Sequence, residues 1–66
     1  MPRGSFHIET GLLLRQRGRL ILLREDGGIW RLSADAEADQ LLGRRVRLEG
    51  IRIGFDLLDV TRIAPC

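Results

Sequence analysis

Residues 33–43 read Ser33-Ala34-Asp35-Ala36-Glu37-Ala38-Asp39-Gln40-Leu41-Leu42-Gly43, and this stretch decides the fold. It carries the one clear helix signal in the chain. Ser33 or Asp35 can cap its start, and Asp35, Glu37 and Asp39 suit the positive end of a helix dipole. Ala34, Ala38, Leu41 and Leu42 recur at helical spacing and form one apolar stripe. Gly43 supplies a left-handed stop. The acidic residues read as helix surface rather than as metal ligands.

Working outward, the segments on both sides read as strands. Upstream, Phe6–Gln16 is a long strand with Gly11 in its middle, where a glycine implies a bulge or bend. Arg17-Gly18 forms a tight turn, Arg19–Glu25 a second strand, and Ile29–Ser33 a third after a hairpin at Asp26-Gly27-Gly28. Downstream, Arg44–Ile53 alternates Arg45, Arg47 and Glu49 with Val46 and Leu48. A fifth strand follows from Phe55 to Ile63. A three-residue loop, Ile53-Gly54-Phe55, would set Leu48 opposite Val60 and Gly50 opposite Leu58.

Parity gives an expected core. A two-residue loop at Asp26-Gly27 or Gly27-Gly28 places Ile21 and Leu23 on the face of Trp30 and Leu32. A three-residue loop would set Arg31 on that face, and an unpaired buried charge is costly. The expected inner layer is therefore Leu12, Leu14, Ile21, Leu23, Trp30 and Leu32. The outer face then holds Leu13, Leu20, Leu22 and Ile29 with Arg15, Arg24 and Arg31. That mixture reads either as a contact surface or as a region that a bent sheet covers itself.

The order strand-strand-strand-helix-strand-strand predicts an all-β domain with one short helix. It is the order of a five-stranded barrel of the oligonucleotide/oligosaccharide-binding (OB) type. Residues 1–5 read as a flexible N-terminal arm and residues 6–66 as one domain.

Composition narrows the function. The chain has 66 residues and a formal net charge of +2, from 11 basic and 9 acidic residues. All the basic residues are arginine, which suits phosphate and carboxylate forks but also follows from GC-rich coding. Dedicated nucleic-acid binders show a more one-sided excess. A domain this small is marginal alone, and the single cysteine, Cys66, leaves no disulfide within the chain. His7 and Cys66 lie at opposite ends, so neither a metal site nor a Cys–His pair is expected. With one His and no Lys or Tyr, the chain reads as non-catalytic and without cofactors. No apolar run approaches the roughly 20 residues that span a bilayer, and Met1–His7 lacks a secretory pattern. A cytoplasmic protein without a membrane partner is expected.

The pieces H-I-E-T-G-L-L (7–13), G-G-I-W-R-L (27–32), L-L-G-R-R-V-R-L-E-G (41–50) and G-F-D-L-L-D-V (54–60) resemble a family of short, uncharacterised proteins from alphaproteobacteria. The resemblance covers nearly the whole chain and implies a compact domain, with no activity attached. The stretch 41–50 is also similar to the helix-end and fourth-strand segment of many bacterial OB proteins.

Two ligand classes remain. OB barrels bind across strands 2 and 3, flanked by the loops joining strands 1–2 and 4–5. The candidate residues for single-stranded DNA or RNA are Arg15, Arg17, Arg19, Arg24, Arg31, Arg52 and Phe55. Trp30 reads as core in preference to a stacking platform. Phe55 reads equally as a packed turn residue or an exposed stacker. The alternative is a homo-oligomer or protein-binding adaptor using Leu13, Leu20, Leu22 and Ile29.

Overall fold

The computed structural model describes residues 4–66. Five strands, β1 (Phe6–Gln16), β2 (Arg19–Arg24), β3 (Ile29–Ser33), β4 (Arg45–Arg52) and β5 (Leu57–Pro65), are joined with one short helix between β3 and β4. The sheet closes on itself as a ring in the order β1-β2-β3-β5-β4. All neighbours are antiparallel except β3 and β5, which close the ring through three parallel pairs. No helix among the described residues is long and apolar enough to cross a membrane.

β1 belongs to both halves of the ring. Its residues from Phe6 to Leu12 pair with β4, and those from Gly11 to Gln16 pair with β2. Gly11 sits at the crossover, opposite both Arg24 and Val46. A Cβ there would lie 2.4 Å from the Leu23 carbonyl oxygen, so only glycine lets the strands approach this closely. The β1–β2 connection is the expected turn, with Arg17 (φ 54) and Gly18 (φ 78) both left-handed. This is the two-residue geometry that matches strand twist.

The core corrects the expected register. The β2–β3 loop has three residues, Glu25–Gly27, closed by Arg24 N–H donating to Gly28 O at 2.8 Å and Gly27 N–H donating to Arg24 O at 3.0 Å. Leu22 therefore lies opposite Trp30 and Ile21 opposite Arg31. Leu13, Leu20, Leu22, Trp30 and Leu32 point inward, with Val46, Leu48 and Leu58. Leu12, Leu14, Ile21 and Leu23 face outward. The longer loop does not bury Arg31, because it is the Leu20–Leu22 face of β2 that turns inward. Leu13, Leu20 and Leu22, expected at an interface, are thus core residues, while Ile29 is 46% exposed.

The β4–β5 loop is displaced by one residue. Ile53 N–H donates to Leu57 O at 2.9 Å, which leaves Gly54–Asp56 as the loop. Gly50 lies opposite Val60, and Leu48 opposite Ile63. Between these pairs Thr61 is an extra residue, a β-bulge, with its hydroxyl donating to Glu49 O at 3.2 Å. The bulge inverts the parity of β5. Without it Arg62 would point inward beside Leu48; with it Arg62 faces solvent and Ile63 packs on the core.

The helix is a 3-10 helix, Ala36–Leu41, shorter than the stretch that signals it. Ser33 is the last residue of β3, and Asp35 occupies the cap position without a side-chain hydrogen bond. The sheet holds the far end of the segment: Gly43 N–H donates to Leu13 O and Leu13 N–H to Arg44 O. A tethered connection gains reach from the 3-10 form, which rises about 2.0 Å per residue against about 1.5 Å in an α-helix. The apolar stripe keeps its role, with Ala38 2% exposed and Ala34, Leu41 and Leu42 packed on the core. Gly43 terminates the segment at φ 81.

Of the arm expected over residues 1–5, residues 1–3 lie outside the described residues. Gly4 N–H donates to Arg52 O at 2.7 Å, and Arg52 N–H to Ser5 O at 2.9 Å, so residues 4 and 5 continue along β4.

Candidate functional site

The β1–β2 turn and the β4–β5 loop flank one stretch of the β2–β3 surface. A groove of ≈ 410 Å³ lies there, lined by Arg15, Arg19, Arg31, Leu20, Asp35 and Asp39 among others. Arg31 is tied to the β4–β5 loop at both ends: its N–H donates to Asp56 O and its Nε to Asp56 Oδ1, each at 2.8 Å. Arg15 pairs with Asp39 on the helix and donates to Gly18 O at 3.4 Å. Arg17 and Arg19, on and just after the turn, have no carboxylate partner among the described residues.

On the loop itself Arg52 donates to Gly54 O at 2.9 Å and to Phe55 O at 2.7 Å. These bonds order the loop and bring the guanidinium to 6.0 Å from the centre of the Phe55 ring. Phe55 is 88% exposed, so it stands out from the loop tip and does not pack over the rim. The structure therefore gathers Arg15, Arg19 and Arg31 in one groove, whereas Arg17, Arg52 and Phe55 are not among the residues that line it.

Arg24 is elsewhere, at the β2–β3 hairpin. It pairs with Asp26 at 2.6 Å and approaches Glu9 at 3.8 Å. The Gly28 N–H, donating to Asp26 Oδ1 at 2.8 Å, holds the Asp26 carboxyl below its ordinary range, with Arg24 adding to the effect. Arg45 pairs with Glu25, which raises its already high value further. Four arginines (15, 24, 31 and 45) are thus held by carboxylates on the same chain.

His7 and Glu9 share the inward parity of Gly11 and Leu13, at the end of the ring away from the helix. The His7 ring lies 5.2 Å from that of Trp30, tilted by 57°, and its Nε2 is 2.9 Å from Ser5 Oγ. Glu9 is 3.7 Å from His7 Nδ1. The buried Trp30 Nε1 has no acceptor. Sequence reasoning assigned His7 no role, because its contact with Trp30 depends on the closure of the ring. Among the described residues no group of three or more His, Cys, Asp or Glu is arranged to hold a metal ion.

The outward apolar residues that parity misplaced form a second surface. Leu12, Leu23 and Ile29 make one cross-strand row, and Leu14 and Ile21 begin the next, which ends on Arg31. Ile21 is only 6% exposed although it is not part of the cluster packed around Leu13 and Leu22. Of the interface residues expected from sequence, only Ile29 belongs here.

No curated protein and no solved structure matches the chain. A family model described as a protein of unknown function (DUF5818) matches residues 10–66, most of the ring from late β1 to the last residue. The chain belongs to the DUF5818 family.

Proposed function

We propose that this protein is a non-catalytic, OB-like binding module that takes single-stranded nucleic acid across the groove between the β1–β2 turn and the β4–β5 loop. The observation that carries the reading is the Arg52–Phe55 pair on the β4–β5 loop, with Phe55 88% exposed, together with Arg17 and Arg19 at the β1–β2 turn, which have no carboxylate partner among the described residues. An exposed ring beside a guanidinium offers a stacking surface for a base. Two free guanidinium groups at one turn suit successive phosphates. Arg15 and Arg31 already have carboxylate partners, so they shape the groove and add little net charge to it. The affinity this supports is modest and strongly salt-dependent.

Fluorescence anisotropy with labelled single-stranded DNA and RNA tests the reading. The expected result is binding at about 10 μM or tighter at low salt, falling steeply as salt rises. Phe55→Ala should weaken it by about 1–3 kcal/mol, the scale of one base–aromatic stack. Absence of binding to either strand type at low salt sinks the proposal.

A second reading is self-association through the outward face of Leu12, Leu14, Leu23 and Ile29. It is favoured by the ion pairs at Arg31 and Arg45, which lie at the ends of the two outward apolar rows and leave them bordered by neutralised charge. Such a patch is compatible with a second copy of itself.

A further inference from the structure

The ring is open along part of one strand. β5 runs from Leu57 to Pro65, yet only Leu57, Leu58 and Asp59 pair with β3. From Val60 onward that edge of β5 has no neighbouring strand among the described residues. Antiparallel pairing alternates residues that exchange hydrogen bonds with residues whose amides point away. Cys66 N–H donates to Arg45 O at 3.0 Å, so Ala64 and Arg62 are bonded positions by alternation and Ile63 turns its N–H and C=O outward. Before the bulge, Ile53 N–H donates to Leu57 O, so Asp59 is bonded and Val60 points outward. Pro65 also occupies an outward position, where its missing N–H leaves the β4–β5 ladder intact.

A groove of ≈ 370 Å³ runs beside this edge, between β5 and the 3-10 helix. Ala38, Leu41, Val60 and Ile63 give it an apolar floor. Its helix side carries Asp35 and Glu37, neither of which has a cation partner among the described residues. Arg62 is the one base in the lining, so two acids against one base leave −1.

We propose that the Val60–Ile63 edge captures an extended segment of a partner protein as an added strand, with Lys or Arg at alternate positions facing Asp35 and Glu37. Main-chain bonds to an exposed edge supply the affinity in such complexes, and alternate side chains supply the specificity. The acidic helix wall sets the partner's charge. A second copy of this chain fits less well, since Arg62 is the only base on its own β5.

The test uses the full chain and a labelled, capped hexapeptide alternating Lys and Val. Amide NMR is expected to show Val60 and Ile63 slowing in hydrogen exchange on addition of the peptide. The same peptide N-methylated at alternate residues has no donors for one edge, and its binding should fall by at least about tenfold. Asp35→Asn with Glu37→Gln should weaken the unmodified peptide while leaving the fold intact, because Asp35 makes no capping bond. Equal binding of the N-methylated peptide, perturbation centred on Ile21 and Ile29, or no binding at about 1 mM would each overturn the proposal. Protection of Ile63 without peptide, rising with protein concentration, would overturn it in favour of a second copy.

Discussion

Gly11 and Trp30 show how much a single position decides here. Gly11 is where β1 passes from β4 to β2, and its missing Cβ makes room for the Leu23 carbonyl. Gly11→Ala must push two strands apart, so a loss of about 1–3 kcal/mol is expected in chemical denaturation, the scale of overpacking. Gly18→Ala, in open space but left-handed, should cost about 1 kcal/mol. A loss at Gly11 well below about 1 kcal/mol would show that close approach does not restrain it. That Gly11 has a special role was legible in the sequence because a lone glycine inside a strand has few other uses, but the close approach of the Leu23 carbonyl was not. The Trp30 environment was legible only in part. Its burial followed from alternation with Arg31, but the His7 ring beside it comes from a strand start 23 positions earlier.

At the scale of elements, parity was the weak link. Leu12-Leu13-Leu14 and Leu20-Ile21-Leu22-Leu23 are apolar on both faces, so neither strand announces which side turns inward. The loop length then decided everything, and Asp26-Gly27-Gly28 accommodates two or three residues. Asp26 accepting from Gly28 N–H and Gly27 in the left-handed region select three. The two registers make opposite predictions. Leu22→Ala should cost about 2–5 kcal/mol, as for a fully buried leucine. Leu23→Ala, half-buried on the outer face, should cost about 1 kcal/mol. The reverse order, measured by denaturation with Trp30 emission as the probe, would restore the two-residue loop. The Thr61 bulge was equally hidden, because Val60-Thr61-Arg62-Ile63 alternates well until the position of Leu48 across from it is known.

For the whole molecule, a radius of gyration of 10.7 Å matches the roughly 10.8 Å expected of a compact 66-residue chain. The chain is therefore compact. Its outer sheet face is another matter. If Leu12, Leu14, Leu23 and Ile29 form a self-association surface, sedimentation should depend on concentration, and Leu14→Glu should abolish that dependence without changing the circular dichroism. A strict monomer at all concentrations excludes that surface. The sequence by itself determined the order of elements, the Arg17-Gly18 turn, the inward Trp30, Val46 and Leu48, and the stop at Gly43. These are local: turn chemistry, alternation and left-handed glycines act within a few residues. The tertiary structure decided which face of β1 and β2 is core, the bulge in β5, the 3-10 form of the helix and the open Val60–Ile63 edge. Each of these depends on where a distant strand closes the ring, and no short-range pattern encodes that distance.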